Sequence, residues 1–375
     1  MKNPPRIDQF VAGFSIGDAT SNAVLLMRDR LRALGFSSTV YASSTHVMPA
    51  IRSECRSLDA YDGKPHDIVL HHFGLWSDVT DFFLRVPARR VLIYHNITPA
   101  DYFRGYDDAV ADQLAHSAGQ LPRVLAACEA IWAVSPYNAD GIQSLSDKPV
   151  HVFALPYAPA INETEPDERT LRRLQGPVTT LLSVGRMAPN KRLEELIEAF
   201  AIYRRTYDPF SRLVFVGSDR SAPRYVTRLR LLAHEWNVPN VAFEGFVWPE
   251  ALRAYYRAAD LYLSASDHEG YCLPLLEAMC EEVPVIAKRT GGTPFAMNDA
   301  GVLYEHLSAT ELAALMARVL NDPALGNAVR ASQQRRVREI MERDLTAELS
   351  ALLAPLIDGA PASETPSVVR AQNPT

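Results

Sequence analysis

Apolar β-type runs alternate with amphipathic helical segments twice along the 375 residues, and this double alternation limits the fold more than any other feature. The first series predicts strands at Gln9–Ser15, Ser38–Ala42, Asp67–His71, Arg90–His95, Ala130–Val134 and Val150–Ala154. Helices over Ser21–Leu34, Ala109–Cys128 and Pro136–Leu145 separate some of them. Strand and helix in alternation make a parallel sheet covered on both faces, an α/β architecture. The second series predicts strands at Thr179–Val184, Arg212–Gly217, Val241–Gly245, Asp260–Ser264, Val283–Ala287 and Gly301–Tyr304. Its helix after Lys191 carries Leu193, Leu196, Ile197, Phe200 and Ala201 at helical spacing. Ser308-Ala-Thr-Glu311 reads as a capping box opening a helix to Asn321, and an interrupted helix follows from Pro323 toward Leu353. The polar, proline-bounded stretch 158–176 is the natural linker. Two domains follow, residues 1–163 and 177–330, with 331–357 as a terminal helix. Residues 358–375 have turn formers and no apolar period, which predicts a disordered tail.

Chemistry concentrates where strands of the second series end. Glu269-Gly-Tyr-Cys-Leu-Pro-Leu-Leu-Glu277 follows the strand Asp260–Ser264, and a helix is expected to open at Leu273 or Pro274. Proline is tolerated in a first helical turn because its missing N–H has no partner there. The free N–H groups and dipole of such a helix start seat a phosphate. Glu269 before the helix and Glu277 one turn inside it would repel a diphosphate, so they suit sugar hydroxyls at either end of an elongated ligand. Gly185-Arg186-Met-Ala-Pro-Asn-Lys191 follows the strand Thr179–Val184 and supplies cations, a planar fork and a point charge. Open α/β sheets bind ligands at these carboxyl ends.

Gly185-Arg186…Lys191, Glu269…Glu277 with Ala278-Met279, and Thr290-Gly291-Gly292-Thr293-Pro294 together resemble the family-4 glycosyltransferases, retaining enzymes of the GT-B fold. The resemblance covers most of residues 178–322. It implies two Rossmann-like domains facing across a cleft, with C-terminal helices packing back on the first domain. It further implies that Arg186 and Lys191 hold the donor diphosphate, Glu269 the donor sugar and Glu277 the ribose. Gly185, Gly217, Gly270, Tyr271, Cys272 and Leu273 join the donor seat, and Phe246 and Val247 lie near the base. Phe246 as a core residue is the competing reading. The family often has an acid after the Gly-Gly-x-Pro turn, where this chain has Phe295. Tyr94-His95-Asn96-Ile97-Thr98-Pro99 with the form of the Glu269 loop is similar to bacterial mannosyl- and rhamnosyltransferases of surface polysaccharides, which favours a GDP-sugar. A UDP-glucose enzyme and a noncatalytic nucleotide-sugar-binding subunit stay open.

In the first domain, the resemblance places His95 beside the reacting sugar, hydrogen-bonded to the sugar or its phosphate. Gly17-Asp18-Ala-Thr-Ser-Asn22 precedes a helix and can face an acceptor, with Asp18 on its hydroxyls. The plainer reading is an N-cap at Thr20 or Ser21. His71-His72 have no third ligand at metal spacing and suit cleft lining or core packing. The absence of an Asp-x-Asp triplet favours transfer without a metal or other cofactor.

A net charge of -6 argues against nonspecific nucleic-acid binding. Residues 1–163 carry 14 Lys/Arg against 17 Asp/Glu, so Arg85, Arg89 and Arg90 belong to a solvated face that allows at most peripheral membrane contact. Four cysteines without a C-x-x-C pair suit reduced thiols, and Cys272 reads as a small packed residue. No run reaches a membrane span, and Phe10 to Ile16 fits a first strand better than a signal peptide, so a cytoplasmic protein is expected. Its partners would be a nucleotide-sugar donor and a glycan or lipid-linked glycan acceptor.

Overall fold

The computed structural model describes residues 5–157, 164–220 and 222–358. They form two parallel sheets flanked by helices. The first contains β1 (Ile7–Val11), β2 (Val40–Ala42), β3 (Arg56–Ser57), β4 (Ile68–Phe73), β5 (Arg89–Tyr94), β6 (Ala130–Ala133) and β7 (Val150–Val152), in the order β3-β2-β1-β4-β5-β6-β7. The second contains β8 (Thr179–Val184), β9 (Ser211–Val216), β10 (Val241–Phe243), β11 (Leu261–Ser264), β12 (Val285–Lys288) and β13 (Val302–Tyr304), in the order β10-β9-β8-β11-β12-β13. Both orders reverse once, between β1 and β4 and between β8 and β11. A crevice opens at each reversal, because the connections on its two sides leave toward opposite faces.

Burial on both faces explains the unbroken apolar runs, since every residue of β1 and β4 is buried. The helix Leu193–Thr206 lays Leu196, Ile197, Phe200 and Tyr203 against the second sheet. Ser308 and Glu311 form the expected reciprocal cap of the helix Ala309–Asn321.

Several boundaries differ from expectation. The first strand is Ile7–Val11, not Gln9–Ser15, because beyond Val11 only an isolated bridge from Phe14 to Val47 continues the pairing. β3 is a two-residue edge strand with too little pattern to read, and a short helix, Asp78–Phe83, was also unread. Of the expected linker, residues 158–163 lie outside the described residues, and Glu168–Leu174 is a helix. The Asp167 carboxylate caps it by accepting from the Thr170 N–H at 2.7 Å, and Asp167 N–H donates to Glu250 O at 2.9 Å. That segment therefore packs on the second unit.

The interrupted terminal helix is two helices, Pro323–Met341 and Leu345–Asp358. The first stays on the second sheet, where the buried Gln333 amide accepts from Val285 N–H at 2.9 Å and donates to Val283 O at 2.7 Å. The crossing comes at Arg343, later than residue 331. Its guanidinium donates to Ala154 O at 2.8 Å, lies 5.2 Å from the Phe153 ring centroid and pairs with Glu348. Leu345–Asp358 then packs on the first unit's helix Ala19–Ala33, with Leu349 and Leu353 fully buried. The tail from 359 lies outside the described residues. Among the described residues, no helix is long and apolar enough to cross a membrane.

Two glycines fix the loop at the end of β8. Gly217 has φ +141°, and a Cβ there would lie 2.0 Å from the Gly185 carbonyl oxygen. Replacing Gly217 with alanine is expected to lower the urea midpoint by an amount equivalent to at least about 1–3 kcal/mol, the usual size of local backbone strain. An unchanged midpoint would mean that the close approach is not structural.

Candidate active site

The crevice at the β8/β11 reversal gathers the residues singled out by the sequence. Gly185, Arg186, Lys191, Glu269 and Cys272 line one pocket with Ser183 and Ser266. Arg186 leaves β8 and is exposed. Lys191 stands just before the next helix. It ends a short turn, Pro189–Lys191, and Arg192 passes through a left-handed conformation (φ 50°) before the helix starts at Leu193. That kink aims Lys191 back at the pocket, where its Nζ lies 2.5 Å from Glu269 Oε1.

Backbone bonds hold the two loops in register. Asp267 N–H donates to Asn190 O at 2.9 Å, and the Asn190 side chain donates to His268 O at 3.1 Å. Behind Glu269, Gly292 N–H donates to Glu269 O at 2.9 Å, and a Cβ on Gly291 would sit 2.2 Å from that oxygen. Burial alone would raise the Glu269 carboxyl. The Lys191 charge and hydrogen bonds from Lys191, Ser266 and Cys272 instead hold it below the usual carboxylate range. Burial pushes the Cys272 thiol well above its ordinary value, and the Glu269 charge adds to this, so the thiol is protonated and packed.

The helix Leu273–Cys280 starts after Cys272 in a left-handed conformation (φ 70°), and no side chain caps it. Its first N–H groups and dipole are thus left for an anion beside Arg186 and Lys191. Glu277 lies on this helix outside the pocket lining and accepts from Tyr256 Oη at 2.7 Å. Burial raises its carboxyl above the ordinary value, against the lowering by the Tyr256 bond.

Other expected donor residues fall around this center. Gly217 lies behind the loop, pressed on Gly185. Leu273 is buried at the helix start, and the buried Tyr271 ring turns away to Phe295, at 5.9 Å between centroids. Phe246 is not core: it is 49% exposed beside Trp248, on the side facing Gly17 of the first unit. Val247 is partly buried. Asp18 is itself the N-cap of the helix Ala19–Ala33, in place of Thr20 or Ser21. Its Oδ2 accepts from both Ser21 N–H and Ser21 Oγ at 2.8 Å, which commits one carboxylate oxygen to the fold.

The two units meet at this crevice. A Cβ on Gly270 would lie 2.6 Å from the His95 carbonyl oxygen, and one on Gly292 would lie 3.1 Å from Ser135 Oγ. His95, just past β5, therefore stands against the Glu269–Gly270 loop. His71 turns into the core, bonded to Phe10 O and Thr80 Oγ1. His72 turns the other way, its Nδ1 2.9 Å from His95 Nε2. Among the described residues, no cluster of three or more metal-ligating side chains occurs.

Residues 167–338 match the family model described as glycosyl transferases group 1. The GDP-mannose-dependent alpha-(1-6)-phosphatidylinositol monomannoside mannosyltransferase of Mycobacterium tuberculosis is 25% identical over 329 residues, spanning 76% of this chain and 84% of that protein. A D-inositol 3-phosphate glycosyltransferase of Corynebacterium glutamicum is 33% identical over 161 residues, 41% of this chain and 38% of that protein. Sucrose-phosphate synthase from Thermosynechococcus elongatus shares the fold with a TM-score of 0.72 at 18% identity, over 95% of this chain and 100% of that one. Residues 167–338 are thus a glycosyl transferases group 1 domain, and the chain as a whole is similar to the family-4 glycosyltransferases. It is an enzyme that moves a sugar from a nucleotide sugar.

Sequence reasoning did not single out several residues that shape the glycosyltransferase site. Ser266 holds Glu269 and Tyr256 holds Glu277; His72, read only as cleft lining or core packing, hydrogen-bonds His95. Ser266 was legible in principle, three residues before Glu269 at a strand end. Tyr256 lies on another helix, with no local signal.

The three histidines are neutral in the fold. Burial lowers His71 and His95 to about 4, and burial with the charges of both neighbours holds His72 well below its ordinary value. Between pH 6.5 and 4 the unfolded enzyme binds protons that the native state refuses, so stability falls as pH drops through that window. Each such histidine contributes up to about 1.4 kcal/mol per pH unit. His71→Phe is expected to flatten the dependence of the urea midpoint on pH between 7 and 5. An unchanged slope would show that His71 titrates normally.

Proposed function

We propose that the enzyme is a retaining mannosyltransferase that takes mannose from GDP-mannose and places it on a hydroxyl of a glycan or glycolipid in cell-surface polysaccharide synthesis. The observation that carries the reading is the convergence of Arg186, Lys191 and the uncapped start of Leu273–Cys280 in one crevice. Phosphoryl leaving groups need charge stabilisation where negative charge grows, and preorganised donors in a partly dry crevice supply it. These three elements carry the charge without a metal or other cofactor. For the donor, support comes from the GDP-mannose-dependent relative and from the serotype-specific mannosyltransferase of Escherichia coli, 26% identical over 195 residues.

In this reading the acceptor oxygen attacks the anomeric carbon on the face that the diphosphate leaves. The bond from that carbon to the phosphate oxygen breaks with its electron pair going to the diphosphate, and the departing phosphate takes the acceptor's proton. No side chain is a nucleophile. The Glu269 carboxylate is already engaged by Lys191, Ser266 and Cys272, which suits it to orient the donor sugar with His95. Glu277 fixes the ribose, Phe246 and Val247 flank the base, and the Gly17–Asp18 loop faces the acceptor. Cleft closure excludes water, the competing acceptor. Four free cysteines fit a reducing cytoplasmic setting.

A thermal-shift screen over GDP, UDP and ADP with their hexose derivatives tests the donor. GDP-mannose at 100 times its dissociation constant is expected to stabilise by about 2.7 kcal/mol, and preferential stabilisation by UDP-glucose would contradict this donor. Arg186→Ala is expected to cost about 10²–10³ in kcat with the fold intact, as for loss of one preorganised donor. Equal turnover would remove that arginine from the site. Proton NMR of the product should show the anomeric configuration of the donor, and inversion would refute the same-face route.

A further inference from the structure

Three side chains on adjacent strands of the first sheet form a hydrogen-bond chain whose direction is fixed at one end. Gln9, in the middle of β1, donates from Nε2 to the Val24 carbonyl oxygen at 3.0 Å. A carbonyl only accepts, so the amide orientation is set and Gln9 Oε1 is the acceptor toward His72. His72 Nε2 lies 3.0 Å from that oxygen and must carry the proton. A neutral imidazole has one N–H, so His72 Nδ1 is left as a lone pair. It faces His95 Nε2 at 2.9 Å, and that bond exists only if His95 carries its proton on Nε2. His95 Nδ1 is then a lone pair as well.

Gln9 is fully buried and His72 nearly so, which keeps water from satisfying either ring in another way. Among the described residues, His95 Nδ1 has no hydrogen-bond partner, and it is not among the polar atoms sealed from solvent without one. The chain runs from a helix carbonyl through β1 and β4 to the end of β5, where it meets the Glu269–Gly270 loop.

We propose that Gln9 and His72 are positioning residues that lock His95 in its Nε2–H tautomer, so that Nδ1 accepts a hydrogen bond from a hydroxyl of the donor sugar and gives none to the diphosphate. This rests on the reading that His95 faces the donor. It goes further by choosing between the two groups that a histidine there can address. A lone pair repels a phosphate oxygen and welcomes a hydroxyl proton. Hydroxyl recognition of this kind discriminates strongly, because a ligand without the hydroxyl leaves a polar atom unpaired.

The tautomer is read without any turnover. Long-range proton–nitrogen correlation spectra of the full-length enzyme labelled with ¹⁵N-histidine at pH 7.5 report which ring nitrogen is protonated, with the His95 signals assigned by their loss in His95→Gln. A single Nε2–H form is expected for His95 in the wild type. In His72→Phe and Gln9→Leu, the Nδ1–H form should become populated. A wild-type His95 that is charged, or protonated on Nδ1, overturns the proposal even if neither variant folds.

Binding supplies the second readout, with GDP and GDP-mannose as probes. His72→Phe is expected to bind GDP within twofold of wild type and GDP-mannose about tenfold more weakly. Parallel weakening of both would put His95 on the phosphate and overturn the proposal. If neither probe binds the wild type, the donor assignment fails while the spectra still decide the tautomer.

Discussion

The ion pair between Lys191 and Glu269 is the contact on which the rest of the site depends. Its members come from loops after β8 and β11, and they meet because the sheet order reverses between those strands. Taking two charges out of water is expensive, and removing one partner of a buried pair typically costs about 3–5 kcal/mol. The protein offsets that expense by bonding Glu269 to Ser266 and Cys272 as well, and by tying the Lys191 turn to the Glu269 loop through Asn190. The pair keeps a carboxylate ionised beside a place prepared for an anion. Lys191 can then face a diphosphate while Glu269, on the far side of the ammonium, faces the sugar.

Glycine makes the same crevice an interdomain one. Gly270 and Gly292 let the loops of the second unit reach the His95 carbonyl and Ser135 of the first, closer than any side chain would allow. The seam is polar and incompletely paired: Asn96 Nδ2, both amide atoms of Asn138 and His268 Nε2 are buried without hydrogen-bond partners in the protein. Unpaired buried groups are costly, about 1–3 kcal/mol each. The two units are also joined where Arg343 bonds Ala154 and Leu345–Asp358 lies on Ala19–Ala33.

Much of this was legible in the sequence because it is local. Strand periodicity, the Ser308–Glu311 cap and the Leu273 helix start each need only a few consecutive residues, and the spacing of Arg186, Lys191, Glu269 and Glu277 follows from two strand-to-helix turns. What was not legible depends on distance or on weak pattern. β3 has two residues, and the helix Glu168–Leu174 sits in a polar stretch whose stability comes from packing on Pro249–Arg257. The cap was assigned to Thr20 or Ser21 rather than to Asp18 because all three offer an oxygen at the helix start. His72 and Gln9 lie 23 and 86 residues before His95, and only the β1-β4-β5 neighbourhood brings the three together.

The most direct measurement is a crystal structure of the enzyme soaked with a nucleoside diphosphate. The account requires the β-phosphate at the start of Leu273–Cys280, within hydrogen-bonding distance of both Arg186 and Lys191, with Glu269 beside Lys191 on the side away from the phosphate. A diphosphate bound anywhere else, with Lys191 and Arg186 untouched, would contradict it.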